Sequence, residues 1–313
     1  MTCDLRFGDC LELMRAMPAN SVDLIATDPP YYKVKGDTWD NQWATPAAFL
    51  AWFDLLAEQW QRILKPNGSL YVFAWQKMAA HVEILLDERF NVLQRITWAK
   101  PPFSTKAEMN KKADQRSYFP TSEAIIFAEH NNPAGAALAA ARRAQGLSRA
   151  QVAAVAGVDS RLVQKWEESD PRGQRSTMTP QQWATVAGLL GVREAYQDVH
   201  RPFNVSADVP YTDVWTYPTV SRRSGKHPCE KPEAMMADII RASSRPGAVV
   251  LDCFMGSGVT GEAAIKLGRD FIGMEMDPTY FASASARLGR PVVPAPLVLD
   301  LPRAAPPARP RHT

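Results

Sequence analysis

Apolar runs and amphipathic stretches alternate along most of this chain. CDLRF before Gly8 reads as a short strand, and CLELMR as a short helix with Leu11, Leu13 and Met14 on its apolar side. SVDLIATDPPYY is a second strand with a stiff tip. Thr45-Pro46 then opens a long helix, PAAFLAWFDLLAEQWQRILK, because threonine accepts from first-turn amides and proline suits the first helical position. That helix is expected to stop at the PNG of residues 66–68. SLYVFAW follows as a strand, QKMAAHVEILLDERF as a helix, and NVLQRITWAK and EAIIFAEH as strands. Strands separated by helix-length segments predict an α/β fold with a mostly parallel, doubly wound sheet.

The alternation breaks between residues 132 and 200, where the composition turns rich in Ala, Gln and Arg and strand patterns vanish. This reads as an inserted all-helical unit. YTDVWTYP, the basic loop SRRSGKHPCEKP and the helix PEAMMADIIRASS come next, the helix placing Met235, Met236, Ile239 and Ile240 on one face. GAVVLDCFMGSG is an apolar strand running into a glycine turn, VTGEAAIKLG its helix, DFIGMEMD a further strand and PTYFASASARL the last helix. The expected organisation is therefore residues 1–131, an insert over 132–200, residues 201–290, and a Pro/Ala/Arg-rich disordered tail over 291–313.

Composition adds boundaries rather than a function. At 313 residues and 46% hydrophobic, the chain is long enough for one large domain and a smaller one. Cys3, Cys10, Cys229 and Cys253 have neither zinc-finger spacing nor the density of a disulfide scaffold, so no metal is expected and a reducing cytoplasmic location is. No run is apolar enough to suggest export or a membrane anchor. A net charge of +3 does not by itself require a polyanionic partner, but the basic residues are clustered.

Candidate chemistry gathers at two strand ends. Gly256 and Gly258 follow Asp252 and precede a helix, which lets a ligand approach backbone closely. Glu275 ends the next strand roughly 20 residues on, where an acidic side chain can accept from ribose hydroxyls. Together they point to a nucleoside-containing cofactor. At the other end, Asp28-Pro29-Pro30-Tyr31 fits either an ordinary turn or a rigid catalytic tip.

TDPPYY, HPCEKP and LDCFMGSGVTGEAAIKLGRDFIGMEMDPTYFASASARL, in that order, resemble the beta-class DNA amino-methyltransferases, which methylate the exocyclic amine of adenine or cytosine. GDCLELMRAMPANSVDLIATDPPYY, RSYFPTSEAIIF and DVW are similar to further parts of such enzymes. The resemblance implies a circularly permuted methyltransferase (Rossmann-like) sheet in which the catalytic strand precedes the cofactor strands. It also implies S-adenosyl-L-methionine as cofactor, with Asp9 and Cys10 at its adenine and Glu275 at its ribose. Asp28, Asp252, Phe254, Gly256, Ser257, Gly258 and Thr260 would surround the rest, closed by Lys231 and Pro232. Cys253 stands where the family commonly has proline. An aromatic amine is a poor nucleophile, its lone pair being delocalised into the ring. On this resemblance Asp28 and the Pro29 carbonyl each accept one N–H and aim that lone pair, Pro29 and Pro30 fix the carbonyl, and Tyr31 stacks on the flipped base.

The insert has its own likeness. LAAARRAQGLSRAQVAAVAGVDSRLVQKWE and MTPQQWATVAGLLGV resemble the lambda-repressor-like helix-turn-helix family. Ser148 with Gln151 and Thr179-Pro180 with Gln182 are candidate helix starts, Gly157 sits in the turn, and Val152, Val155, Val158, Leu162, Val163 and Trp166 are the expected core. The resemblance makes the unit a target recognition domain that enters the major groove with Ser160, Arg161, Gln164 and Lys165, a packing or dimerisation insert being the alternative. Lys33, Lys35, Arg116, Arg222 and Arg223 would neutralise phosphates.

The expected activity is methylation of adenine N6 in double-stranded DNA, since cytosine-N4 enzymes more often carry serine at the position of Asp28. Cytosine N4, a DNA-binding regulator with an inactive methyltransferase fold, and methylation of RNA or a protein glutamine remain alternatives. The resemblance leaves open a homodimer and a cognate restriction endonuclease.

Overall fold

The computed structural model describes residues 1–33, 41–100, 116, 118, 120–131, 133–168, 176–206, 209–220 and 230–289. In chain order the strands are β1 (Cys3–Phe7), β2 (Val22–Thr27), β3 (Leu64–Ala74), β4 (Phe90–Ala99), β5 (Ser122–His130), β6 (Val214–Thr216), β7 (Val249–Asp252) and β8 (Asp270–Glu275). The helices are α1 (Cys10–Arg15), α2 (Pro46–Ile63), α3 (Gln76–Asp87), α4 (Pro133–Ala144), α5 (Arg149–Ala156), α6 (Ser160–Glu167), α7 (Pro180–Leu190), α8 (Tyr196–Val199), α9 (Glu233–Ser243), α10 (Val259–Lys266) and α11 (Pro278–Arg287).

The strands form one sheet in the order β1-β8-β7-β2-β3-β5-β4-β6. The five from β1 to β3 run parallel, as the alternating pattern predicts. β5 runs antiparallel to both β3 and β4, making the sheet mixed. Two apolar layers cover the faces: α1, α2 and α3 with Phe49, Phe53, Leu56 and Trp60 on one side, α9 and α10 with Met235, Met236, Ile239 and Ile240 on the other. The local signals act as expected at Thr45, whose side chain accepts from Ala48 N, and at Pro46. The PNG stop differs: α2 ends at Ile63, Leu64 already pairs with Val22, and residues 66–68 form an irregularity inside β3.

The helical stretch packs around its own core, with Val152, Val163, Trp166, Trp183, Val186 and Leu190 buried. Both capping boxes form and Gly157 adopts φ 67°. Val155 departs from expectation: it is 53% exposed, because the short α5 buries only the face carrying Val152 and Ala153. Glu167 is buried and clamped by Arg142 (2.5 and 2.9 Å) and Arg149 (2.8 Å), joining α4, α5 and α6. Because β5 is antiparallel, this unit leaves the sheet at His130, the end opposite the carboxyl termini of β2 and β3. It docks there through Asn67 to the Gln197 carbonyl at 2.7 Å and through Arg201 to Glu129. Among the described residues no helix is long and apolar enough to cross a membrane.

Helix α10 meets β8 at Gly261, where a Cβ would lie 2.5 Å from the Phe271 ring. Gly261→Ala is expected to cost about 1–3 kcal/mol through overpacking, read as a lowered midpoint in urea unfolding.

Candidate active site

The carboxyl ends of β1, β8, β7 and β2 open into one cavity of about 520 Å³, lined among others by Asp9, Asp28, Trp52, Lys231, Phe254 and Glu275. Ligands of open α/β sheets bind at this edge, where backbone amides of the strand-to-helix turns converge.

The glycine turn is held from within. Asp252, at the end of β7, accepts from Thr27 Oγ1 at 2.9 Å, Thr260 Oγ1 at 2.7 Å and Phe254 N at 3.1 Å. Burial raises its carboxyl to about 6 against these three donors. Gly256 and Gly258 have φ 49° and 79°, left-handed values that favour glycine. Gly258 also leaves only 3.1 Å between a would-be Cβ and Ala284, so the turn presses onto α11. Glu275 Oε1 accepts from Met276 N (2.9 Å) and Asp277 N (2.8 Å), whereas Oε2 accepts from Gly256 N (3.0 Å) and keeps a second lone pair available. Burial raises this carboxyl as well. Asp9 caps α1, its Oδ1 accepting from Leu11 N (2.8 Å) and Glu12 N (3.3 Å), which puts Asp9 and Cys10 at the cavity wall beside Glu275.

At the other end of the cavity lies a cluster of charges. Asp28 follows β2; the Tyr31 hydroxyl donates to its Oδ1 at 2.5 Å and the Lys231 ammonium to its Oδ2. Glu123, near the start of β5, lies 3.1 Å from the Tyr31 hydroxyl oxygen and 3.3 Å from Lys231 Nζ and pairs with Lys100. Burial pushes the Asp28 carboxyl above its ordinary value against the pull of Lys231. Burial acts on Glu123 in the same sense, but the ammoniums of Lys231 and Lys100 overcome it and hold that carboxyl at about 2. The Tyr31 phenol is raised well above its usual range by burial and by both carboxylates. Immediately beyond, Tyr32 and Lys33 have φ 64° and 57°, two consecutive non-glycine residues in the left-handed region. Such backbone costs about 1–2 kcal/mol per residue.

The N6_N4_Mtase family model, described as DNA methylase, matches residues 22–286. The chain belongs to this DNA methylase family. It is 30% identical over 286 residues to DNA adenine methyltransferase YhdJ of Escherichia coli (strain K12), covering 90% of this chain and 81% of that protein. It is 25% identical over 301 residues to the type II methyltransferase M2.LlaDCHI of Lactococcus lactis subsp. cremoris, covering 90% and 88%. Its fold resembles the crystal structure of the M1.HpyAVI–SAM complex (TM-score 0.55, 21% identity, 92% and 99% covered). It also resembles the cytosine-N4-specific PvuII DNA methyltransferase (TM-score 0.58, 18% identity, 92% and 86% covered).

In this DNA methylase the residues singled out by sequence fall into distinct places. Asp9, Cys10, Asp28, Lys231, Asp252, Phe254, Gly256, Ser257, Thr260 and Glu275 line the cavity with Pro29, Pro30 and Tyr31. Pro232 is buried and caps α9, and Gly258 caps α10. Asp252 and Thr260 bond to each other, so they shape the turn. Cys253 is inert: burial pushes its thiol up to about 12. Ser160 and Arg161 are exposed on α6 with Gln164 and Lys165 half-buried, none of them lining the cavity, and Arg116 is exposed. Lys33 donates to the Ala44 carbonyl at 3.1 Å. Lys35, Arg222 and Arg223 lie outside the described residues. Sequence reasoning missed Glu123, Lys100 and Trp52. Glu123 opens an antiparallel strand, and a rule that inspects carboxyl ends of parallel strands passes over it; its one signal is a carboxylate heading the apolar run EAIIFA.

The raised Asp252 carboxyl gives a signed pH effect. Its folded-state value of about 6 exceeds the ordinary 3.8, so this group's stabilising contribution is complete below the lower value and is lost as pH rises through the upper one. Relative to Asp252→Asn, which has no charge to bury, the wild-type chain is expected to gain up to about 3 kcal/mol as pH falls from above about 6 to below about 4, measured by urea unfolding.

Proposed function

We propose that this DNA methylase transfers a methyl group from S-adenosyl-L-methionine to the exocyclic N6 amine of an adenine flipped out of double-stranded DNA. The observation that carries this reading is the placement of the Asp28-Pro29 tip at one end of the cavity whose other end is formed by Asp9 and Glu275. S-adenosylmethionine is the cofactor, and it supplies an electrophilic methyl on a sulfonium. The residues present fit it: Glu275 Oε2 has an uncommitted lone pair for a ribose hydroxyl, and the positive φ of Gly256 and Gly258 exposes turn backbone. Asp9 and Cys10 would take the adenine end, with Phe254 and Ser257 toward the methionine end.

Asp28 and the Pro29 carbonyl act on the target. Each accepts one amine N–H, which draws the nitrogen toward tetrahedral geometry and aims its lone pair, so the protein's contribution is positioning and electrostatics. Asp28 has to be ionised for this, and Lys231 opposes the burial that would neutralise it. Tyr31 is held by its hydroxyl to Asp28 and Glu123 in this structure, and its ring is the stacking surface for the flipped base. The aspartate at position 28 and the likeness to an adenine methyltransferase favour adenine over cytosine N4.

The sheet order supports a circular permutation, because the amino-terminal strand β1 lies beside the last strand, β8. For the helical unit we propose a helix-turn-helix DNA-docking role through the first turn of α6. From Glu123 to His130, β5 makes seven residue steps of about 3.4 Å, roughly 24 Å. The unit therefore joins the sheet at the end opposite the cavity.

Labelled cofactor and DNA followed by nucleoside analysis should yield N6-methyladenine; methylcytosine instead would move the assignment to cytosine N4. Asp28→Ala is expected to lose at least about 100-fold in transfer while keeping cofactor affinity in isothermal titration; transfer at the wild-type rate would remove the mechanism. Arg161→Ala with Gln164→Ala should weaken binding to a duplex of about 30 base pairs yet leave preference at the positions adjoining the methylated base unchanged in sequencing of the product.

A further inference from the structure

The charge cluster contains two carboxylates where the transfer chemistry uses one. Asp28 is already committed on both oxygens, to the Tyr31 hydroxyl and the Lys231 ammonium. A target amine that donates to Asp28 has to share the carboxylate with these donors and weakens their hold on it. Lys231 is only 5% exposed, so its ammonium has little water to turn to when the hold of Asp28 weakens. Glu123 removes that obstacle by its position. Its Oε2 lies 3.1 Å from the Tyr31 hydroxyl oxygen and 3.3 Å from Lys231 Nζ, so both donors on Asp28 are already within reach of the second carboxylate. Lys100 on Oε1 keeps Glu123 charged and ready to accept.

We propose that Glu123 is a positioning residue for the methyl transfer, taking over the Lys231 ammonium and the Tyr31 hydroxyl as Asp28 takes up the target amine. The inference rests on the methyltransferase reading above and concerns a residue that does not itself meet the nucleobase. Lys231, between the two carboxylates and 4.9 Å from the Phe73 ring centroid, is the group handed over. The exchange moves no net charge: Asp28 and Glu123 balance Lys100 and Lys231 before and after. The groups facing Asp28 are Tyr31 from its own loop, Glu123 from β5, Lys231 from the approach to α9 and Asp252 from the end of β7, with Lys100 behind Glu123.

Glu123→Gln keeps the side-chain volume and removes the charge. It removes the second carboxylate charge beside the ammonium and takes away a like charge that raises the Asp28 carboxyl. The single-turnover rate of methyl transfer to DNA is therefore expected to fall about 10- to 100-fold, and the acid limb of the pH–rate profile to move to lower pH. Cofactor affinity should stay at the wild-type value, the melting temperature should fall because Lys100 and Lys231 lose a shared carboxylate, and Glu123→Asp should recover part of the rate. A Glu123→Gln enzyme with the wild-type rate and an unmoved acid limb would overturn the assignment. So would a rate loss accompanied by equal losses of cofactor affinity and thermal stability in both variants, which would mark Glu123 as structural. A wild-type enzyme that transfers no methyl to DNA would instead fail the underlying reading.

Discussion

The buried Asp252 carboxylate is the acceptor on which both halves of the site converge. Thr27 ends the strand that carries Asp28, Phe254 lies in the glycine turn and Thr260 in the first turn of α10; all three donate to Asp252, and Thr27 does so across 225 positions of sequence. Removing the acceptor would take a partner from all three donors, and this constrains the turn and the Asp28–Tyr31 tip to one relative position. The same burial raises Asp252 to about 6, which places part of the fold's pH sensitivity at the point where its two halves join.

From that junction the cavity divides into two electrostatic regimes. On the Glu275 side, backbone amides from the glycine turn and the strand end surround a carboxylate with one lone pair left for a ligand. On the Asp28 side, side chains rather than backbone set the field. Asp28 and Glu123 share Tyr31 and Lys231, and the two carboxyls are driven in opposite directions, Asp28 upward by burial and Glu123 downward by its two ammoniums. A pair of carboxyls pushed apart in this way is a common sign of divided labour in a site. The left-handed Tyr32 and Lys33 directly after the tip are a further local cost kept at this place.

The helical unit shows how strand direction decides where a self-contained stretch of chain is placed. Its core and its Arg142–Glu167–Arg149 clamp are local, built from residues within one stretch of chain. Its position is not local. One antiparallel strand, β5, carries the chain from the charge cluster at Glu123 to the opposite edge of the sheet before α4 begins. The unit therefore joins the sheet at the end opposite the cavity.

The pattern of apolar positions was enough to locate nearly every helix and strand, and the caps at Thr45, Ser148 and Thr179 follow from rules that depend on neighbouring residues alone. Asp28, Gly256, Gly258 and Glu275 were legible for the same reason, since each is marked by its place at the end of an apolar run. Strand direction was not legible, because an antiparallel strand and a parallel one bury the same alternation of side chains. Nor were Glu123 and Lys100, whose roles exist only through partners distant in sequence, or the inward bonding of Asp252 and the exposure of Val155. Sequence determined which segments become helices and strands and which residue types stand at their ends. Tertiary structure alone decided which of those ends share an acceptor or an ammonium, because hydrogen bonds and ion pairs are set by distances of about 3 Å that chain order does not encode.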